Sequence, residues 1–188
     1  MRPVIAQLIW RAVRRVLGLL FLIALVLTGT GGAIVVQGSR DEADRADTAV
    51  LMSDGDALSR AARVERATSL YLNSHISRII VVGQAPAQAQ AILLNRGVQA
   101  DKLQMIRAPS QQAQLDQLHS AFATGRPIDA LLIAEPVEIL RLLKMAHDRG
   151  LPLRGAPTSR TSAIDLGAVV DEVGRYFTYV LASASAQR

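Results

Sequence analysis

Residues 16–36, VLGLLFLIALVLTGTGGAIVV, run for 21 positions without a charge, and no other feature constrains the chain so tightly. As an α-helix this run is roughly 31 Å long, which matches a bilayer's hydrocarbon core. A helix satisfies its own backbone, so it can cross lipid where irregular chain cannot. Trp10 lies just before the run, where an indole suits the interface. Arg11, Arg14 and Arg15 follow at helical spacing and can meet lipid phosphates together. The other flank, residues 39–47 (SRDEADRAD), is mixed and net acidic. The positive-inside rule then makes residues 1–15 cytoplasmic and 16–36 a transmembrane helix. On that reading a single-pass protein of the inner membrane carries its C-terminal domain in the periplasm.

A cleaved signal peptide would have a shorter apolar region, about 7–15 residues, ending in a small-x-small site. This run is longer and offers no clean site, so it reads as a retained anchor. There is no lipobox cysteine to carry a lipid. Gly29, Gly31 and Gly32 either mark a close helix contact in the bilayer or are the glycines common in such helices.

Half of the 188 residues are hydrophobic, which argues against disorder. The net charge of +5 is uneven. Arg2, Arg11, Arg14 and Arg15 precede the apolar run, and without them 17 basic side chains face 16 acidic ones. No basic stripe remains for nucleic acid. The absence of cysteine excludes disulfides, thiolate catalysis and cysteine-ligated metals.

Residues 37–47 read as a solvated linker, and 48–188 as one α/β domain. Strand-like runs fall at 48–53 (TAVLMS), 78–82 (RIIVV), 102–106 (KLQMI), 130–134 (ALLIA) and, more weakly, 153–156. Helical stretches lie between them at 58–73, 87–96, 110–124 and 136–149, with a last one at 165–181. Gly97, Gly125 and Gly150 follow three of these helices as natural stops. Ser110 can cap the third, Ser59 the first, and Pro136 suits a first helical turn. Apolar strands without alternation are buried on both faces. The order predicts a doubly wound parallel sheet of four or five strands, Rossmann-like, with right-handed crossovers.

Three segments carry a family resemblance. They are DTAVLMSDGDALSRAARVERATSLYLNSHISRIIVVG (47–83), ILLNRGVQADKLQMI (92–106) and ALLIAEPVEILRLLKMAHDRG (130–150). The chain resembles a degenerate member of the YdcF-like (SanA- and ElyC-like) family of bacterial envelope proteins. Arg63-Val64 and the Ala67–Tyr71 stretch fit that family's first helix, and Arg141 falls on its helix-borne arginine. Glu172 lies in a closing helix that also looks similar. The resemblance implies the same fold and an envelope location. The departures bear on activity. The family's glycine-rich first turn is Ser53-Asp54-Gly55-Asp56, its Ser-Gly-Gly turn is reduced to Gly83-Gln84, and its Tyr-His pair is Val137-Glu138. Its Ser-x-Asn-Thr stretch keeps only Ser110, with Gln112 and Ala113 in place of Asn-Thr.

In an open parallel sheet, ligands bind outside the carboxyl ends of the strands. Those ends offer Ser53, Asp54, Asp56, Gly83, Gln84, Ser110, Glu135, Glu138 and Arg141. Asp54, Asp56 and Glu135 can hold a hard cation, or Asp54-Gly55 is only a turn. Glu135 and Glu138 suit a helix N-terminus electrostatically. Arg141 either meets an anionic ligand or pairs with Glu135 or Glu138 on its own helix face. His75, His119 and His147 have no metal-ligand spacing, and no GxSxG, GxGxxG or P-loop follows a strand. No metal or cofactor is expected. The function expected is a non-catalytic binding or scaffold domain, accessory to other membrane subunits. The alternative is a binder or enzyme for a nucleotide-like or envelope-precursor molecule. Topology alone also allows regulation through the membrane.

Overall fold

The computed structural model describes residues 2–123, 129–159 and 165–186. Helix α1 (Arg2–Ser39) leads into β1 (Thr48–Met52), α2 (Ala57–Leu72), β2 (Arg78–Gly83) and α3 (Pro86–Asn95). A short 3-10 turn (Ala100–Lys102) precedes β3 (Leu103–Arg107) and α4 (Gln111–Ala123). Then come β4 (Ala130–Ile133), α5 (Ile139–His147), β5 (Leu153–Gly155) and α6 (Leu166–Ala186).

The five strands form one sheet in the order β3-β2-β1-β4-β5, and every recorded pairing is parallel. This is the Rossmann-like arrangement that the alternation of apolar runs and helices predicts. Register explains the two-sided burial. Val50 pairs with Ile80 and Leu132, and these three point into the layer with α4 and α5. Leu51 pairs with Val81 and Ile133, which point into the layer with α2 and α3. Burying each such side chain contributes about 1.5–3 kcal/mol, so both faces need apolar residues.

Element ends shift by a few residues from expectation. Helix α5 begins at Ile139 rather than at Pro136, because residues 136–138 form a turn. Gly97 and Gly150 follow α3 and α5 at φ +92° and +71°, in the left-handed region that costs glycine least. Asp56, not Ser59, caps α2: its carboxylate accepts from the Ser59 N–H at 2.7 Å. Ser110 Oγ accepts from Ala113 N–H at 3.3 Å. The stop expected at Thr124-Gly125 lies outside the described residues.

Helix α1 is long and apolar enough over Val13–Ser39 to cross a membrane. It is exposed from Val16 to Gly29 and then meets the domain. Ile34 is buried against Val137, Val169 and Val173. Gly38 seats on Pro136 so closely that a Cβ there would overlap the Pro136 carbonyl. The helix therefore ends inside the domain's packing. Of residues 37–47, expected as a solvated linker, 37–39 are the end of α1 and 40–47 are strapped along the sheet. Glu42 N–H donates to Gly155 O at 2.9 Å, Ala46 N–H to His75 O at 2.8 Å and Asp47 N–H to Asp129 O at 3.0 Å. Ala43 and Ala46 pack on the α2–α3 layer. Free main-chain donors meeting carbonyls at the sheet margin explain why this charged segment lies down.

Candidate functional site

The strand order reverses at β1 and β4, so the crevice of a doubly wound sheet opens beyond Met52 and Ile133. The polar residues expected there fall into three groups.

The first group surrounds Arg63, one turn and a half into α2 and only 3% exposed. Its guanidinium donates to Met52 O at 2.9 Å, to Asp54 O and to Glu138 Oε2 at 2.7 Å, with Glu135 Oε1 at 3.5 Å. Arg63 thus plugs the crevice from one side while Glu135 and Glu138 meet it from the other. Asp54 accepts from Gln84 N–H at 2.7 Å and from the Gln114 side-chain amide at 2.5 Å. Gln114 is fully buried and also donates to Ala108 O at 3.2 Å. Ser53 Oγ donates to Val82 O at 3.1 Å. Gly83 passes so near that a Cβ would overlap Ser53 Oγ. Arg63 Nε and Gln114 Oε1 find no partner among the described residues.

The second group is Arg141, 6% exposed, which does not pair with Glu135 or Glu138. It crosses to α6 instead. Its Nε meets Glu172 Oε1 at 2.5 Å, its Nη2 reaches Glu172 Oε2 at 3.4 Å, and Nη1 donates to Gln111 Oε1 at 2.6 Å. Arg141 points away from the Arg63 cluster because Ile139 and Leu142 of its own helix face the core. A groove of about 550 Å³ runs beside this pair, lined by Ser110, Gln111, Asp171, Arg175 and Tyr179. Ser110 belongs here, not to the crevice.

Asp56 stands alone. It serves α2 as a cap, and the Ser59 N–H held against it keeps its carboxyl below the usual carboxylate range. Asp54, Asp56 and Glu135 therefore do not converge on a common cation: each acid has its own donor. No three His, Asp or Glu side chains group as a metal site among the described residues.

A second cavity, about 310 Å³, lies where α1 meets the domain, between Ile34, Val35, Gly38, Pro136, Val137 and Pro157. At the N-terminal flank of α1, Trp10, Arg14 and Arg15 are exposed on the helix surface, and Arg11 lies on the same helix.

Arg63, Gln111 and Gln114 were not expected as partners in the site. The available signal was polar residues set within apolar stripes: Arg63 beside Val64 and Ala67, Gln114 beside Leu115 and Leu118.

Fold and site together define a Rossmann-like α/β domain behind one long apolar helix, with an internally paired polar cluster at its switch point. The chain matches no protein-family model, no curated protein and no solved structure.

Proposed function

We propose that this chain is a membrane-anchored, non-catalytic α/β domain of the bacterial envelope, acting as a binding or scaffold subunit accessory to a membrane protein complex. One observation carries the reading. The charged groups at the switch point are spent on one another: Arg63 is held by Glu138, Glu135 and two main-chain carbonyls. A catalytic site keeps its charges for the reacting atoms, and a buried arginine whose two terminal nitrogens are both held by carboxylates or carbonyls has little to offer a substrate. Anchoring through α1 is supported by the length and hydropathy of Val13–Ser39. A periplasmic place for the domain is supported by Arg2, Arg11, Arg14 and Arg15 before the span and the net-acidic flank after it. Descent from the YdcF-like family fits this picture as a fold kept with its polar site altered.

The alternative, a binder or enzyme for a nucleotide-like or envelope-precursor molecule, has one observation in its favour. Arg63 Nε and Gln114 Oε1 are a buried donor and acceptor left over near Asp54. Buried polar groups of that kind call for a partner.

Native mass after mild detergent extraction from the protein's own membranes tests the first reading. A stoichiometric assembly with other chains supports it; a lone monomer or homodimer defeats it. A thermal-shift screen with nucleotides and envelope precursors tests the second. Stabilisation lost in Asp54→Ala and Gln114→Leu would place the ligand in the crevice.

A further inference from the structure

We infer that α6 is a second membrane element: an amphipathic helix whose apolar stripe lies among the acyl chains of the leaflet that α1 leaves, beside the upper part of α1. The inference rests on the anchored reading of α1.

The length of exposed helix poses the problem. Val16 to Gly29 is exposed and apolar, which at 1.5 Å per residue is about 21 Å. The hydrocarbon core is about 30 Å thick. The span cannot be completed toward the N-terminus, where Arg14 and Arg15 intervene. It must be completed through residues 30–36, and there one side of α1 is already covered by the domain.

The cover is α6. A Cβ on Gly31 would lie 3.6 Å from Val169 and 3.9 Å from Val173. Phe177 lines a cleft with Leu22, Ile23, Val26 and Leu27. As α6 advances from Val169 to Phe177, its contacts on α1 move back from Gly31 toward Leu22–Leu27. The two helices are antiparallel, and Phe177 reaches the level of the exposed apolar run. A bilayer around that run meets α6 as well.

The surface of α6 fits such a place. Leu166, Val170 and Leu181 are 78%, 69% and 69% exposed. With Phe177 they sit at intervals of four, seven and four residues, one stripe on a helix. The stripe adjoins the Val169, Val173 and Phe177 side that packs on α1. The charges lie elsewhere: Asp171 and Arg175 line the groove with Gln111, and Glu172 is buried on Arg141. After Arg175 no charge occurs until Arg188, the last residue. With its charges turned toward the domain's groove and its apolar stripe turned outward beside α1, α6 presents lipid with an uncharged face. The apolar surface of α6 is thus continuous with that of the span, and its occupant is lipid.

The chain has no cysteine, so single cysteines report position without background. In lipid nanodiscs, where both faces are open, the full chain carrying Val170→Cys, Leu181→Cys, Asp171→Cys, Ile23→Cys or Leu58→Cys is treated with a membrane-impermeant maleimide. Leu58 is 83% exposed on α2 and serves as the reference. Labelling at Val170→Cys and Leu181→Cys is expected at least tenfold slower than at Leu58→Cys, and equal to it after denaturation in SDS. Asp171→Cys, on the groove side, labels near the reference rate. All of these positions are exposed, so the fold is retained, and thermal melting checks it. If Ile23→Cys is protected while Val170→Cys and Leu181→Cys label like Leu58→Cys, α6 lies in water and the inference is overturned. If Ile23→Cys also labels freely, the anchored reading of α1 itself falls and takes the inference with it.

Discussion

Arg63 and Glu138, 75 residues apart in sequence, meet at 2.7 Å across the point where the sheet reverses its strand order. Their pairing closes the crevice between α2 and the β4–α5 turn from within. A buried arginine bound to carboxylates and main-chain carbonyls leaves several unpaired groups behind when it is removed. Arg63→Met is therefore expected to destabilise the protein by about 3–5 kcal/mol. Chemical denaturation of the detergent-solubilised protein measures it. Adding Glu138→Leu recovers little, because the carbonyls of Met52 and Asp54 still lack the donor that Arg63 supplied. Full rescue by the double substitution would refute this account.

Arg141 and Glu172 make the contrasting case. They tie α5 to α6 as a buried pair with few other partners. Arg141→Met alone is expected to cost about 3–5 kcal/mol, since Glu172 then stays buried with only the long 3.9 Å contact to the exposed Arg175 as counter-charge. Arg141→Met with Glu172→Leu regains most of that loss. A double-mutant cycle reads the coupling, and additive losses would disprove it.

Gly38 and Gly32 separate docking from helix propensity. At Gly38 a Cβ would overlap the Pro136 backbone, whereas at Gly32 nothing lies within 4 Å. Gly38→Ala must push α1 off its seat and is expected to destabilise by about 1–3 kcal/mol. Gly32→Ala should be neutral or slightly stabilising. Thermal melting of the two variants in one detergent decides, and equal behaviour would mean that α1 does not seat on Pro136.

Asp56 gives a pH signature. Its carboxyl is held below its ordinary value of 3.8, chiefly by the Ser59 N–H. A lowered native pKa contributes stability that is present above the unfolded value and lost as pH falls through the native one. Asp56→Asn keeps an acceptor for Ser59 but has no proton to gain. The wild type should exceed it in stability at neutral pH, and the gap should close below about pH 4. A gap that stays constant down to pH 2 would contradict the capping role.

Much of the fold was legible because the physics behind it is local and periodic. The runs TAVLM, RIIVV and ALLI are apolar without alternation, and only a sheet covered on both faces accommodates them. The site was legible only as a location. Ser53, Asp54, Glu135 and Glu138 do gather at the switch point, as strand ends must. Their partners were hidden, because Arg63 and Gln114 arrive from α2 and α4 through tertiary packing that no spacing along the chain encodes. Arg141 makes the same point. A helix face offered it Glu138 three residues away, yet Glu172, 31 residues on, is the partner. The strap at residues 40–47 has a composition that reads as solvated. Its main-chain bonds to Gly155, His75 and Asp129 depend on a sheet margin assembled much later in the chain.

The seat of Gly38 on Pro136 has a mechanical consequence. Helix α1 runs unbroken from Arg2 to Ser39, and its last turns belong to the domain. No swivel separates the two. The carboxyl edge of the sheet therefore keeps one bearing relative to the axis of α1, and a neighbour standing beside that helix always meets the same face. A twist or tilt applied to α1 far from the domain turns α5 and α6, which pack against its last turns, by the same angle, as a key turns the bolt to which it is fixed.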